Sequence, residues 1–244
     1  MTFIIIGASA GLGRSLAEKF ASEKHDLILI SSDSRDLIPL KSDLEIRFKV
    51  RIVPLEISFK QIPLDYDQII DSLRNLSPLE GILFPIGHLS SNDVPGLDAD
   101  TVIETFNINL ISICLTVNYF LNSLKERKSV IMGFGSVAAI RGRTRNATYA
   151  ASKRGLESFF ESLRHSLQNS NVIVQFYVLG YLDTSLSFNH KTMFFKRADV
   201  TELSEIVYEN RFKDFGTTVY PKEWKLVKLL LPFIPWKIFK KINF

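Results

Sequence analysis

Apolar residues in this chain fall into two kinds of run. Short, unbroken stretches of four to eight residues recur: Phe3 to Ile6, Asp26 to Ser31, Ile52 to Ile57, Leu79 to Ile86, Ser129 to Phe134 and Val172 to Leu179. Solid runs of that length read as strands buried on both faces, as parallel strands are. Between them lie longer segments whose apolar residues repeat at helical spacing. One starts with Leu16, Ala17 and Phe20; others cover Tyr66 to Leu76, Val102 to Lys125, and Asn146 to about Gln168. Strands alternating with helices over the first 180 residues predict an α/β domain, with a parallel sheet and helices on both faces. Gly180 opens an irregular stretch. There are no repeats, low-complexity segments or linkers, so residues 1–220 read as a single domain and residues 221–244 as a basic amphipathic extension.

Composition changes this picture little. Of 244 residues, 46% are apolar and 23% charged, which suits a globular protein with one sizeable core. The single cysteine, Cys114, lies in an apolar run and excludes intrachain disulfides. His25, His88, His165 and His190 lack metal-ligand spacing, so no metal site is expected. The N-terminus enters an apolar strand without a basic leader, so no signal peptide is expected. No run reaches 18 apolar residues, so no membrane span is expected either. The net charge of +4 suggests nucleic acid until it is located. Residues 221–244 hold six lysines against Glu223, a net +5, which leaves the preceding 220 residues at −1.

Candidate chemistry lies at strand ends. The first strand runs into Gly7-Ala8-Ser9-Ala10-Gly11-Leu12-Gly13 and then a helix start. Glycines let backbone approach a pyrophosphate, and a helix N-terminus presents free N–H groups and a positive dipole end. The second strand ends Ser31-Ser32-Asp33-Ser34-Arg35, where an acid would hold ribose hydroxyls and a base a 2′-phosphate. Asp33 could equally cap the next helix. Ser136 follows the fifth strand, and Tyr149 and Lys153, four apart, share one face of a helix. An ammonium beside a phenol predicts a tyrosine pKa pulled from about 10 towards neutrality, suited to trading a proton with a carbonyl oxygen. Gly133-x-Gly135-Ser136 is no hydrolase elbow, because Ala138 stands where the second glycine belongs.

Gly7-x-x-x-Gly11-x-Gly13, Asn109, Ser136, Tyr149 and Lys153, in this order and spacing, resemble the short-chain dehydrogenase/reductase family over residues 1 to about 185. The resemblance implies a Rossmann-type, doubly wound, three-layer α/β/α fold with about seven parallel strands, NADP(H) or NAD(H) as cofactor, and a homo-oligomer, dimer or tetramer. It implies that Tyr149 is the general acid/base, that Lys153 binds the nicotinamide ribose and lowers the tyrosine pKa, that Ser136 orients the carbonyl, and that Asn109 holds a relay water. It places the cofactor on Gly7, Ser9, Ala10, Gly11, Leu12, Gly13, Ser31, Ser32, Asp33, Arg35, Glu56, Ile57, Pro85, Ile86, Gly87, Tyr149, Lys153, Gly180 and Leu182, with Glu56 at the adenine. Two places depart from the family's pattern: Phe84-Pro85-Ile86-Gly87 replaces Asn-Asn-Ala-Gly, and Leu179-Gly180 replaces Pro-Gly.

That form after strand four is similar to decaprenylphosphoryl-2-keto-ribose reductases. So are the arginine-rich loop and the tail Ile234-Pro235-Trp236-Lys237-Ile238-Phe239-Lys240-Lys241. This resemblance implies a keto sugar or polyol as substrate, phosphate- or polyprenyl-linked forms included. Ser136, His88, Arg141, Arg143 and Arg145 would then bind it, guanidinium groups being well shaped for phosphate. A solvated basic loop or a subunit contact would explain the arginines equally well. In the tail, Lys222, Lys225 and Lys228 oppose Trp224, Val227, Leu230 and Leu231, and Lys237, Lys240 and Lys241 oppose Trp236, Ile238, Phe239 and Ile242. Such a segment either lies on anionic lipid, making a cytoplasmic protein peripheral at the inner membrane face, or packs its apolar side on the domain or a second subunit. No nucleic-acid partner is expected. The alternatives to a keto reductase are an enzyme for an unrelated small alcohol and an idle, cofactor-sensing scaffold.

Overall fold

A computed structural model describes residues 1–90, 93, 94, 96–142, 144–183 and 197–242. Seven parallel strands form one sheet: β1 Thr2–Ile6, β2 Asp26–Ser31, β3 Ile52–Glu56, β4 Leu79–Phe84, β5 Ser129–Ser136, β6 Val172–Leu179 and β7 Thr217–Tyr220, in the order β3-β2-β1-β4-β5-β6-β7. The order reverses between β1 and β4, which opens a crevice at the carboxyl ends of the central strands. Side chains alternate across each strand, and β1 shows the consequence. Phe3 and Ile5 enter the core beneath one helical layer, Ile4 and Ile6 the core beneath the other. A sheet buried on both faces needs strands apolar at every position, which is why the unbroken runs marked them.

Helices α1 (Gly11–Ser22), α2 (Ser34–Phe48) and α7 (Val200–Glu209) cover one face. Helices α3 (Asp67–Arg74), α5 (Ser112–Lys125) and α6 (Ala147–Ser166) cover the other. Helix α4 (Ala99–Phe106) continues into α5 through a π-helical turn, Asn107–Ile111. This Ala99–Lys125 segment is long and apolar enough, by length and composition alone, to cross a membrane. In the fold it is the crossover between β4 and β5, with Ile113, Val117, Phe120 and Leu124 buried in the core. The tail carries two short helices, α8 (Trp224–Leu230) and α9 (Trp236–Phe239).

The tail departs from the expected faces. Trp224, Val227 and Leu231 are half-buried, Phe239 is buried, and Lys228 is spent on Glu157 at 2.5 Å. The outward apolar residues are instead Leu226, Leu229, Leu230, Phe233, Trp236 and Ile238. The segment therefore has two apolar sides, one of them packed on the domain.

Candidate functional site

At the switch point the end of β1 passes into α1 through the glycine loop. A Cβ on Gly13 would sit 1.9 Å from the Gly7 carbonyl oxygen, so only glycine lets α1 start this close to the strand. Ala10 at the N-cap makes no side-chain cap, and the first turn carries no acid. The helix therefore offers uncapped N–H groups and an unopposed positive dipole end to the cleft, as a pyrophosphate needs.

Ala10, Gly11, Leu12, Pro85, Ile86, Gly87, Ser136, Tyr149, Lys153, Gly180 and Leu182 all line one cleft of about 190 Å³, drawn together from the ends of β1, β4, β5 and β6 and from α6. Its remaining wall is largely apolar, including Leu89, Val137, Ala138 and Tyr181, with Asn146 as a polar exception. Ser31 is buried, its hydroxyl donating to that of Ser9 at 3.0 Å, while Ser32 is exposed. Asp33 caps α2 by accepting from the Arg35 backbone N–H at 2.9 Å, and the Arg35 guanidinium folds back on the same carboxylate at 2.5–3.0 Å. Those hydrogen bonds hold the Asp33 pKa down at about 2. The two residues meant to choose the cofactor thus occupy each other. Glu56, at the end of β3, is exposed and accepts from the Ser34 N–H at 3.2 Å; Ile57 is buried beside it.

Lys153 is 3% exposed, and burial lowers its pKa to about 8. Its ammonium donates to the carbonyls of Ile86 and Phe134, each at 3.1 Å. Tyr149 keeps some exposed surface, but its phenol end is enclosed. Burial raises the phenol pKa, and a hydrogen bond with Ser136 opposes this less strongly. The expected pull towards neutrality is therefore reversed. The helical spacing is as expected, yet the ammonium points at two carbonyls, leaving desolvation to dominate the phenol. A neutral phenol in a water-poor wall is a proton donor.

Asn109 is fully buried in the π-helical turn. Its amide nitrogen donates to the His88 carbonyl at 2.8 Å and the Ser152 hydroxyl at 3.1 Å, and its oxygen accepts the His88 N–H at 2.7 Å. Both side-chain donors are committed to fixing the strand-four loop against α6, a different task from the expected grip on a water. A π-turn widens the helix locally and re-aims a side chain, a recurrent device at functional sites.

The substrate residues are less concentrated. His88 points towards Glu104, 3.9 Å away, and does not line the cleft. Arg145 is exposed outside it. Arg141 donates to the carbonyls of Leu231 at 2.9 Å and Ile234 at 2.5 Å, and its guanidinium lies 3.9 Å from the Phe239 ring centroid. It clamps the tail, so its expected role on a substrate phosphate is corrected: two tail carbonyls and an aromatic face claim the guanidinium first. Arg143 lies outside the described residues. Among those residues no cluster of His, Cys, Asp or Glu could hold a metal ion.

One residue had no signal in the sequence. Asp93 is 4% exposed, and its carboxylate accepts the backbone N–H groups of Thr148 at 2.9 Å and Tyr149 at 2.7 Å, while its carbonyl takes that of Asn146 at 2.7 Å. It caps the very turn that carries Tyr149. Asn146, at the N-cap position, has a φ of 63° and makes no side-chain cap, which frees its side chain for the cleft wall. No local capping motif marks a cap supplied from more than fifty residues away.

Known proteins resemble this chain in sequence and in fold. Very-long-chain 3-oxoacyl-CoA reductase of Neurospora crassa is 30% identical over 191 residues, covering 75% of this chain and 57% of the relative. The Homo sapiens protein of the same name is 27% identical, covering 75% and 60%. The chain thus spans less than two thirds of these relatives' length. Among solved structures, a short chain dehydrogenase/reductase from Burkholderia phymatum in complex with NAD superposes with a TM-score of 0.85 at 17% identity, over 99% of this chain and 95% of that one. One from Sphingobium yanoikuyae in complex with NADPH gives 0.77 at 20%, over 99% and 96%. The pattern of the family described as short chain dehydrogenase matches residues 1–193, and the chain belongs to that family of oxidoreductases.

Proposed function

We propose that the chain is an NAD(P)H-dependent reductase that converts a ketone to a secondary alcohol, with the ketone carried on an apolar chain. The observation that carries this reading is the single cleft where the uncapped α1 N-terminus, Ser136, Tyr149 and Lys153 converge under a mostly apolar wall. The N-terminus of α1 would hold the pyrophosphate, and the C-terminal ends of β2 and β3 the adenosine half. Bound there, the cofactor supplies hydride to the carbonyl carbon. Ser136 holds the carbonyl oxygen. Tyr149, kept as the neutral phenol by burial, gives that oxygen its proton. Lys153, still largely cationic at neutral pH with a pKa of about 8 and held by the Ile86 and Phe134 carbonyls, would meet the cofactor's ribose at the cleft wall. Asn109 and Asp93 hold the loop and helix that position these groups.

The relatives' printed names support an apolar carrier, and so does the shortage of charged side chains in the wall. A keto sugar or polyol on a polyprenyl phosphate is the second reading. The wall residue Asn146 favours it as a polar group inside the cleft. In both readings residues 1–220 are the catalytic unit of a cytoplasmic, homo-oligomeric enzyme. The test is consumption of reduced cofactor against a panel of long-chain 3-oxoacyl esters, short ketones and keto sugars. Long-chain esters should turn over with the highest kcat/KM. Exclusive turnover of keto sugars would favour the second reading, and turnover of none of the panel would oppose both.

A further inference from the structure

Fifteen large apolar residues are exposed among the described ones, and seven of them fall between Leu226 and Ile242. Phe233 is 78% exposed and Trp236 67%, at the turn between α8 and α9. An apolar cluster of this density on one short hairpin exceeds what scattered surface residues account for. It is held outward. Trp224, Val227 and Leu231 anchor the inner side, Lys228 is paired with Glu157, and Arg141 grips the carbonyls of Leu231 and Ile234. The exposed lysines 222, 225, 237, 240 and 241 flank it.

We infer that this hairpin docks on an anionic phospholipid bilayer, with Leu226, Leu229, Leu230, Phe233, Trp236 and Ile238 entering the headgroup–acyl boundary and the flanking lysines meeting lipid phosphates. Apolar and aromatic residues rimmed by lysine are the composition such an interface selects. A second copy fits this surface poorly. Twofold pairing would bring the lysine rims together with only Glu223 to offset them, and facing like charges oppose association. The docking also bears on the cleft. Trp224 packs against Tyr181 with ring centroids 5.6 Å apart, and a Cβ on Gly180 would lie 2.4 Å from the Trp224 indole nitrogen. The hairpin thus forms one shoulder of the cleft, and a bilayer beneath it would present a lipid-borne ketone at the entrance. That last consequence rests on the reductase reading; the docking does not.

The experiment is cosedimentation of the full chain with phosphatidylserine/phosphatidylcholine vesicles, with pure phosphatidylcholine vesicles as control. Binding should occur at low salt, fall about tenfold or more as salt rises past physiological strength, and be weak on the neutral vesicles. Phe233→Ser with Trp236→Ser removes two mostly exposed side chains and should abolish binding, with circular dichroism checking that the fold is kept. Lys237→Gln, Lys240→Gln and Lys241→Gln together should weaken it on the order of a hundredfold, about fivefold for each lysine. Turnover of a soluble ketone should be unchanged in both variants, so failure of docking and failure of the reductase reading give separate signals. A chain that ignores anionic vesicles at low salt overturns the inference. So does a stable dimer in solution that the Phe233→Ser/Trp236→Ser change dissociates, which would make a second copy the occupant.

Discussion

Asp93 offers the sharpest perturbation, because it ties a distant loop to the turn bearing the proton donor. Its buried carboxylate accepts two N–H groups of α6, those of Thr148 and Tyr149. Asp93→Ala leaves both donors without their partner and removes a negative charge from a helix N-terminus. Losing a side-chain cap costs about 1–2 kcal/mol, and the lost dipole interaction about another 1 kcal/mol in a partly buried setting. For a domain of this size, a total of about 2–3 kcal/mol lowers Tm by roughly 4–12 °C. The catalytic effect should be larger than stability alone requires. Tyr149 lies in the uncapped turn, and a displacement of about 1 Å at a reacting group costs on the order of a hundredfold in rate. The assay pairs thermal unfolding, followed by circular dichroism, with kcat and dinucleotide affinity. Asp93→Asn, which keeps one acceptor, should recover part of both losses, and dinucleotide affinity should change little because α1 is untouched. An Asp93→Ala protein with unchanged Tm and unchanged kcat would refute the reasoning.

Other predictions follow from the same geometry. Tyr149→Phe should lower kcat by about 10²–10⁴-fold, the usual size of a general-acid contribution, with dinucleotide affinity nearly unchanged as read by fluorescence titration. Burial lowers the pKa of Lys153 from 10.5 to about 8. Between those values the unfolded chain binds the extra proton, so its contribution to stability rises with pH through that window, by about 3 kcal/mol in all. Urea unfolding of wild type and Lys153→Met should therefore diverge in favour of wild type from pH 8 to pH 10, and a constant difference would remove the claim. Cofactor preference should be under tenfold, about 1.4 kcal/mol, since Arg35 and Asp33 engage each other. Asp33→Ala should release Arg35 and shift relative affinity towards NADPH, as titration with both reduced cofactors would show.

Much of this was legible in the residue order. Strands β1, β2, β4, β5 and β6 are solid apolar runs buried from both sides, while β3, at the sheet edge, keeps only Ile52 fully buried. Most cleft residues stand at strand ends, with Tyr149 and Lys153 on α6. Helix α2 escaped notice because Pro39 interrupts it and only Leu37, Leu40 and Leu44 are buried. Helix α7 and β7 lie in the stretch beyond Gly180, where a four-residue strand with only Val219 and Tyr220 buried gives little pattern. Arg141 shows a different limit: its charge is visible in the sequence, but the carbonyls and aromatic ring that claim it come from ninety residues on. The four-residue spacing of Tyr149 and Lys153 predicts a lowered tyrosine pKa, but spacing says nothing about where an ammonium points or how dry its surroundings are.

The central claim is that the Ser136, Tyr149 and Lys153 cleft reduces a ketone by hydride transfer with Tyr149 as proton donor. Reduced cofactor carrying deuterium at the transferring position, incubated with a long-chain 3-oxo ester, tests it most directly. The account predicts deuterium at the new carbinol carbon of the product with wild type, and about 10²–10⁴-fold less product with Tyr149→Phe under saturating cofactor. A product without deuterium at that carbon, or equal product from Tyr149→Phe, would contradict it.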